Sequence, residues 1–456
     1  MIVAQAARKI RGLPLAILIG LFAPAPGFAE GAEVQPDGAP ADVVPDSDAD
    51  SAVQPHALEF TSADRTRQWE LALNGYIDFG FAVVQGDGTN FAPGDTRVPA
   101  DYVSDTFATA INSRGDVASI STSRPTYGFL PRSVGIGGKP SFLLNDVNQD
   151  LRLSSQGDRV MVFARAQFLP RYTAQGNQTQ IWIEQAFARI VPFDSLELAL
   201  SLGKFDSVFG IEYLDNPSNV RVGVTPSLIA RYTTGQALGA KLFFRFHIPA
   251  LWSSISFNLS ATNGGTQVEP LQPVDISLTG RPVFGGRVGY ELGLPSVELK
   301  LGASGLQGPR NDQVDHDAIQ SNWGLDARFT VAGLSLSGEW IYFEEDESAA
   351  TKMTGAGPQA WYATGFEVHG WYAEAAYRFS PSWRALTAVT VYARIEDRRG
   401  QFKGYPWIES RRLTPGLRVD LWSNVIVKAE WLFNREAAGA LPVDNDVGVV
   451  SMVFSW

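Results

Sequence analysis

The final stretch, Asp446 to Trp456 (DVGVVSMVFSW), constrains the fold more than any other. Val450, Met452, Phe454 and Trp456 fall on one face of an extended strand, and Val449, Ser451, Val453 and Ser455 on the other. A closing strand with an apolar face needs a partner for its open edge. The same alternation appears first at Trp69 to Val84, where Leu71, Leu73, Ile77, Phe79, Phe81 and Val83 oppose Glu70, Asn74, Tyr76 and Asp78. An ordinary strand runs to about five or six residues. Pairing the first such strand with the last closes the sheet on itself, and an up-and-down closure needs an even number of strands.

Turn chemistry supplies the count. Short turns are expected at Ser155–Asp158, Pro192–Ser195, Pro249–Trp252, Gly293–Ser296, Val331–Gly333, Ser380–Trp383 and Asp420–Ser423. Longer polar loops alternate with them near 85–141, 170–179, 206–236, 262–280, 306–321, 344–364, 396–410 and 435–445. This rhythm gives about sixteen antiparallel strands, with 14 or 18 left open by one miscounted hairpin. The fold class expected is all-β: a transmembrane up-and-down barrel.

Periodicity alone does not separate a soluble barrel from a membrane barrel. Three features favour the membrane. Residues 1–29 read as a secretory signal, with Arg8, Lys9 and Arg11 before the apolar run Leu13–Phe22, and Gly27 and Ala29 before a cut at Glu30. The terminal strand ends on an aromatic, as outer-membrane barrels do, a feature read by the barrel-assembly machinery. Trp252, Trp383 and Trp422 sit at short turns, where an interfacial aromatic girdle belongs. Cysteine is absent, which suits an oxidising compartment. Residues 30–60 carry acids (Glu30, Glu33, Asp37, Asp42, Asp46, Asp48, Asp50, Glu59) without Lys or Arg and read as a disordered acidic periplasmic tether. The barrel is then expected over 61–456. The formal net charge of −11 and the lack of a basic motif exclude a nucleic-acid partner.

IWIEQAF at Ile181, GKFDSVFGIEYLDNPSN at Gly203, Thr-Thr-Gly at Thr233 and Asn-Gly at Asn263 resemble the β-barrel porin-2 family of outer-membrane porins, which is similar to the phosphate-selective porins. Members of that family carry His before the Thr-Gly and Trp after the Asn-Gly; this chain has Thr233 and Gly265 there. The resemblance implies a passive diffusion channel, not an enzyme, and does not name the solute.

A water-filled lumen is sorted by the charges on its wall. The expected basic lining is Lys204, Lys241, Arg245, Arg378, Arg394, Arg412, Arg418 and Lys428, and the acidic lining is Glu184, Glu374, Asp420 and Glu430. Each of these could equally be a cross-strand ion pair that stiffens the wall. Arg394, Arg412 and Arg418 share one parity, and such a basic column would give a mild anion preference. The loop from about Asp206 to Gly235 carries Glu212, Asp215, Arg221 and Arg231 beside Phe209, Ile211, Tyr213 and Leu214, a composition suited to folding inward as a constriction. His56, His247, His316 and His369 lack metal-ligand spacing, and the acids at Asp312, Asp315 and Asp317 lack the glycine of a calcium loop. No cofactor or metal is expected. The partners expected are outer-membrane lipid, the assembly machinery and small hydrophilic solutes or ions, with a homotrimer as the assembly open to such a barrel. A plugged barrel with an adhesive or envelope role, and an outer-membrane hydrolase, are the alternative readings.

Overall fold

The computed structural model describes residues 60–61, 69–84, 119–121, 124–126, 141–155, 158–173, 176–193, 196–264, 279–309, 318–346, 366–381, 383, 385–402, 408–436 and 446–456. These lie in the compact unit Asp46–Trp456. The expected signal and nearly all of the expected tether lie outside the described residues.

Sixteen long strands form one closed antiparallel sheet, in the order β1 (Trp69–Val84), β2 (Ser141–Ser155), β3 (Val160–Thr173), β4 (Gly176–Ile190), β5 (Glu197–Asp206), β6 (Gln236–Ile248), β7 (Ser253–Thr262), β8 (Val283–Leu294), β9 (Val297–Pro309), β10 (Ile319–Val331), β11 (Leu334–Glu345), β12 (Phe366–Phe379), β13 (Leu386–Phe402), β14 (Ile408–Leu421), β15 (Val425–Glu436) and β16 (Val447–Ser455). Each pairs with its sequence neighbours, and β16 returns to β1 with Val453 opposite Asp78 and Ser455 opposite Tyr76. Beyond the end of β16, Phe60 and Thr61 pair with Leu71 and Glu70 and cover the remaining edge of β1. Closure leaves no free sheet edge, which is the condition for sheet to cross a bilayer, although β2–β3 pair only over Asn148–Ser154 and β4–β5 only over Ala186–Ile190.

The seam is tight because Gly75 lies under the terminal indole. The Trp456 backbone N–H donates to the Gly75 carbonyl at 3.0 Å, and the Gly75 N–H donates to the Trp456 carbonyl at 3.2 Å. A Cβ at Gly75 would stand 2.5 Å from Trp456 Cζ2.

The short turns fall where turn chemistry places them. Val331-Ala332-Gly333-Leu334 makes a two-residue hairpin with φ +46° at Ala332 and +84° at Gly333. Trp252 and Trp422 also hold left-handed backbone, each with φ +51°. Both indoles are exposed at their turns. Three expected loops are shorter than their composition suggests. Strand pairing continues to Thr173 opposite Gly176, to Pro309 opposite Ile319, and to Gly400 opposite Ile408. Polar, Gly-rich sequence there still forms ladder, because a rim extending into water gains nothing from apolar alternation.

The two faces of the sheet are inverted relative to a soluble barrel. Phe79, Leu202, Phe246, Leu259, Leu325, Ile395 and Leu413 point outward and are exposed. Asp78, Arg165, Glu184, Asn258, Asn322, Arg394, Arg412 and Lys428 point inward and are buried. The outer face is an apolar band, so the alternation reads apolar-out and polar-in. Apolar residues also occur inside, among them Val368, Leu432, Val449 and Val453, and two groups stand out. Met161, Phe163, Phe187 and Phe205 form one cluster on β3–β5. Ile341 and Phe343 on β11 lie inside the second, beneath an inward loop.

Candidate functional site

That loop, Ser207–Gly235 between β5 and β6, fills part of the lumen. It has little repeating structure: one turn of 3-10 helix at Glu212–Asp215 and one of α-helix at Ala230–Thr233. Its apolar side chains Val208, Phe209, Ile211, Tyr213, Leu228, Ile229 and Tyr232 are almost fully buried inside the barrel. Tyr232 packs on Phe343 with ring centres 5.4 Å apart. Glycines in the wall make room: a Cβ at Gly324 would stand 2.7 Å from Phe209 Cζ, and one at Gly370 2.4 Å from Ile229 Cγ2.

A loop brought into a lumen must have its backbone polar groups satisfied. The wall supplies both signs. Glu430 accepts the Val224 and Thr225 N–H groups, both at 2.8 Å, and also the Thr225 and Tyr392 hydroxyls, both at 2.5 Å. Glu396 accepts the Leu228 N–H at 3.0 Å, and Glu339 accepts the Glu212 N–H at 3.2 Å. The Ser304 hydroxyl accepts the Gly210 N–H at 2.9 Å. Cations take the carbonyls. Arg394 donates to Thr225 and Pro226, each at 3.0 Å, and Arg412 to Pro226 at 2.7 Å. Arg418 donates to Val220 at 2.8 Å and Arg221 at 3.0 Å. Lys428 donates to Gly223 at 3.0 Å and also to Ser218. Asn322 donates to the Tyr232 carbonyl at 2.8 Å. These anchors run from β9 through β15, and on β1 the Tyr76 hydroxyl accepts the Ser218 N–H at 3.3 Å.

Within the loop, Glu212 accepts the Ser227 N–H and hydroxyl, each at 2.6 Å, and the Thr233 hydroxyl at 3.1 Å. Burial pushes its carboxyl above the ordinary value, against those hydrogen bonds and Arg394, which favour the charged form. Asp215 pairs with Arg328 on β10. Arg221 turns back on the loop itself, donating to Asn216 at 2.8 Å and Val224 at 2.6 Å. Arg231 sits on the Ala230–Thr233 turn, and its side chain lies outside the described ones.

The expected lining residues face inward with one exception. Lys204 is on the row of Leu200 and Leu202, which are exposed on the outer face, and it donates to the Ile183 carbonyl. Gly203, with φ +130°, separates it from the inward Phe205. Lys241 and Arg245 lie over the Phe205 and Phe243 rings, each 5.4 Å from the ring centre. Arg245 also pairs with Glu197 at 3.6 Å, and Arg378 with Asp420 at 2.7 Å. Glu184 accepts from Gln236 at 2.9 Å, and Glu374 lies 3.6 Å from Arg394.

The column Arg394, Arg412, Arg418 is real as a row, but it is covered. Arg394 and Arg412 converge on Glu396, and Arg418 pairs with Asp420 at 2.7 Å. All three also donate to the loop backbone. Glu396 and Glu339 were not legible as site residues. Glu396 stands at the edge of the stretch expected to be loop, although its spacing of two from Arg394 puts it on the same face. Among the described residues, no group of three or more His, Asp or Glu side chains could hold a metal ion.

No protein-family model matches the chain, and no curated protein sequence matches it. The fold does match solved structures. The outer membrane channel DcaP of Acinetobacter baumannii aligns over 85% of this chain and 97% of its own, at 9% identity and a TM-score of 0.50. An anion-selective porin from Comamonas acidovorans aligns over 85% and 100% at 12% identity and a TM-score of 0.48. OmpT of Vibrio cholerae, in a trimer form, aligns over 85% and 99% at 9% identity and 0.46. Only the first is near enough to carry the comparison, and it carries the fold. The class this defines is a sixteen-stranded transmembrane barrel of the kind that sits in the bacterial outer membrane.

Proposed function

We propose that this protein is an outer-membrane porin, a channel for passive diffusion of small hydrophilic solutes, narrowed by the Ser207–Gly235 loop. The observation that carries the reading is the pairing of an apolar outer band with a charged inner wall that holds an inward loop by its backbone. A wall built only to be filled would be apolar on both faces, as it is beneath Tyr232. The resemblance around Gly203 to the porin-2 family agrees with it.

Small ions are its simplest test solutes. In planar bilayers the protein should give discrete conductance steps. A folded, heat-modifiable barrel that inserts and never conducts would establish the plugged alternative, which the many loop anchors make the competing outcome. The mild anion preference is proposed here on narrower ground than the column. With Arg394, Arg412 and Arg418 engaged by the loop, it rests on Lys241, over the Phe205 ring, and on Arg245, which Glu197 partly neutralises on the same wall. A zero-current potential in a KCl gradient measures the sign. Cross-linking in native membranes, expected to give a trimer, tests the assembly.

A further inference from the structure

The wall beside the short turn after β6 carries a row of charges of its own. His247 lies just before that turn and shares the inward parity of Lys241 and Arg245. Its Nε2 is 2.7 Å from Glu197 Oε1 on β5. Glu197 is 3.6 Å from Arg245, and Arg245 is 3.8 Å from Glu291 on β8. Glu291 in turn is 3.9 Å from Lys300 on β9, which lies 3.0 Å from Glu298. On β7, the other neighbour, the uncharged Ser254 stands opposite His247. The charges that face the imidazole are therefore Glu197 and Arg245, with Glu291 one step beyond.

Water reaches this end of the row: the His247 side chain is 46% exposed. Histidine is the side chain that changes charge between about pH 5 and 8. The Glu197 carboxylate only accepts, so Nε2 carries a hydrogen in both charge states and the proton is gained at Nδ1. The contact with Glu197 thus survives titration. The other described histidine, His369, stacks on Tyr342 with ring centres 4.7 Å apart, on the outward row of Trp371. His247 is the one histidine on the inner wall among the described residues. With a neutral imidazole the row sets the carboxylates of Glu197, Glu291 and Glu298 against the fixed cations of Arg245 and Lys300 alone. A proton on His247 removes that imbalance.

We propose that His247 is a selectivity residue at the short-turn mouth of the channel. Protonated, it balances the row and shifts the pore toward anions; neutral, it leaves one negative charge in excess and favours cations. The inference rests on the channel reading and names a residue for its charge sorting. A charge at the mouth acts on a passing ion through water, with a reach of about 30 Å at 0.01 M salt and about 8 Å at physiological strength. One unit charge about 10 Å from the ion's path changes its local concentration about twofold. Chloride gains where potassium loses, so their ratio moves further. Glu212 in the loop also responds to acid, so the assignment is made with variants at His247 itself.

The test is the zero-current potential in a dilute KCl gradient at about pH 8 and about pH 5.5. It is read as the chloride-to-potassium permeability ratio. In the wild type this ratio should rise about threefold on acidification. His247→Gln keeps a donor for Glu197 but has no charge to gain, and it should remove most of the rise. His247→Lys carries a fixed charge and should hold the ratio near its acid value at both pH values. Heat modifiability on gels shows that each variant is folded. A pH response carried through intact in His247→Gln overturns the inference. So does a His247→Lys channel no more anion-selective than the wild type at the higher pH. Either result in a conducting barrel leaves the channel reading in place, whereas a barrel that never conducts removes both.

Discussion

At the scale of single residues, the wall acts on the loop through a few carboxylates. Glu430 receives two backbone N–H groups and two hydroxyls. Hydrogen bonds to a charged acceptor contribute about 1.5–3 kcal/mol each, and a buried donor left unmet costs a similar amount. Glu430→Gln replaces one acceptor with a donor that faces donors. We expect the loop to loosen by about 2 kcal/mol, seen as faster cleavage within Ser207–Gly235 and noisier current, with the thermal unfolding of the barrel little moved. Glu212 gives a pH dependence. Its folded pKa is raised above the unfolded value, chiefly by burial. The folded loop therefore binds the proton more tightly than the unfolded one. This contribution to stability is fully present below the unfolded pKa and is lost as pH rises through the raised folded pKa. Mild acidification from neutral pH should protect the loop from protease, and Glu212→Gln should flatten that profile. A loop that opens on acidification would reverse the assignment.

At the scale of elements, the loop and the seam are the two constructions that matter. Removing about ten residues around Asn216 takes away the apex while β5 and β6 keep their own pairing. Conductance should rise; an unchanged value would put the constriction outside this loop. Replacing Arg394 and Arg412 with Gln should widen the channel more than it changes the sign of selectivity, because these groups hold carbonyls of Thr225 and Pro226. A shift of the zero-current potential at unchanged conductance would restore the column to the conduction path. The seam depends on Gly75. Gly75→Val places side-chain atoms where the Trp456 indole lies, so a smaller heat-modifiable folded fraction on gels is expected.

For the whole molecule, orientation follows from the asymmetry of the two ends, with short turns on the periplasmic side of such barrels. Tags inserted near Gly355 and near Lys403, between β11 and β12 and between β13 and β14, should be accessible on intact cells. A tag near Ser382, between β12 and β13, should be hidden. The opposite pattern would invert the barrel. The sequence by itself pointed to the sheet, its closure and about sixteen strands, because period-two alternation and turn chemistry are local signals that need no knowledge of distant contacts; only the structure settled sixteen against 14 or 18. It also determined that Arg394, Arg412, Arg418 and Lys428 face inward, since parity is a property of one strand. What they meet there depends on chain more than 150 residues away in sequence, and no local pattern encodes it. Tertiary structure alone decided that the basic column clasps the loop backbone and that Glu396 and Glu339 join it, whereas the outer place of Lys204 follows from its parity with Leu200 and Leu202. Tertiary structure also decided why Ile341 and Phe343 are apolar on the inner wall: the loop, not water, covers them.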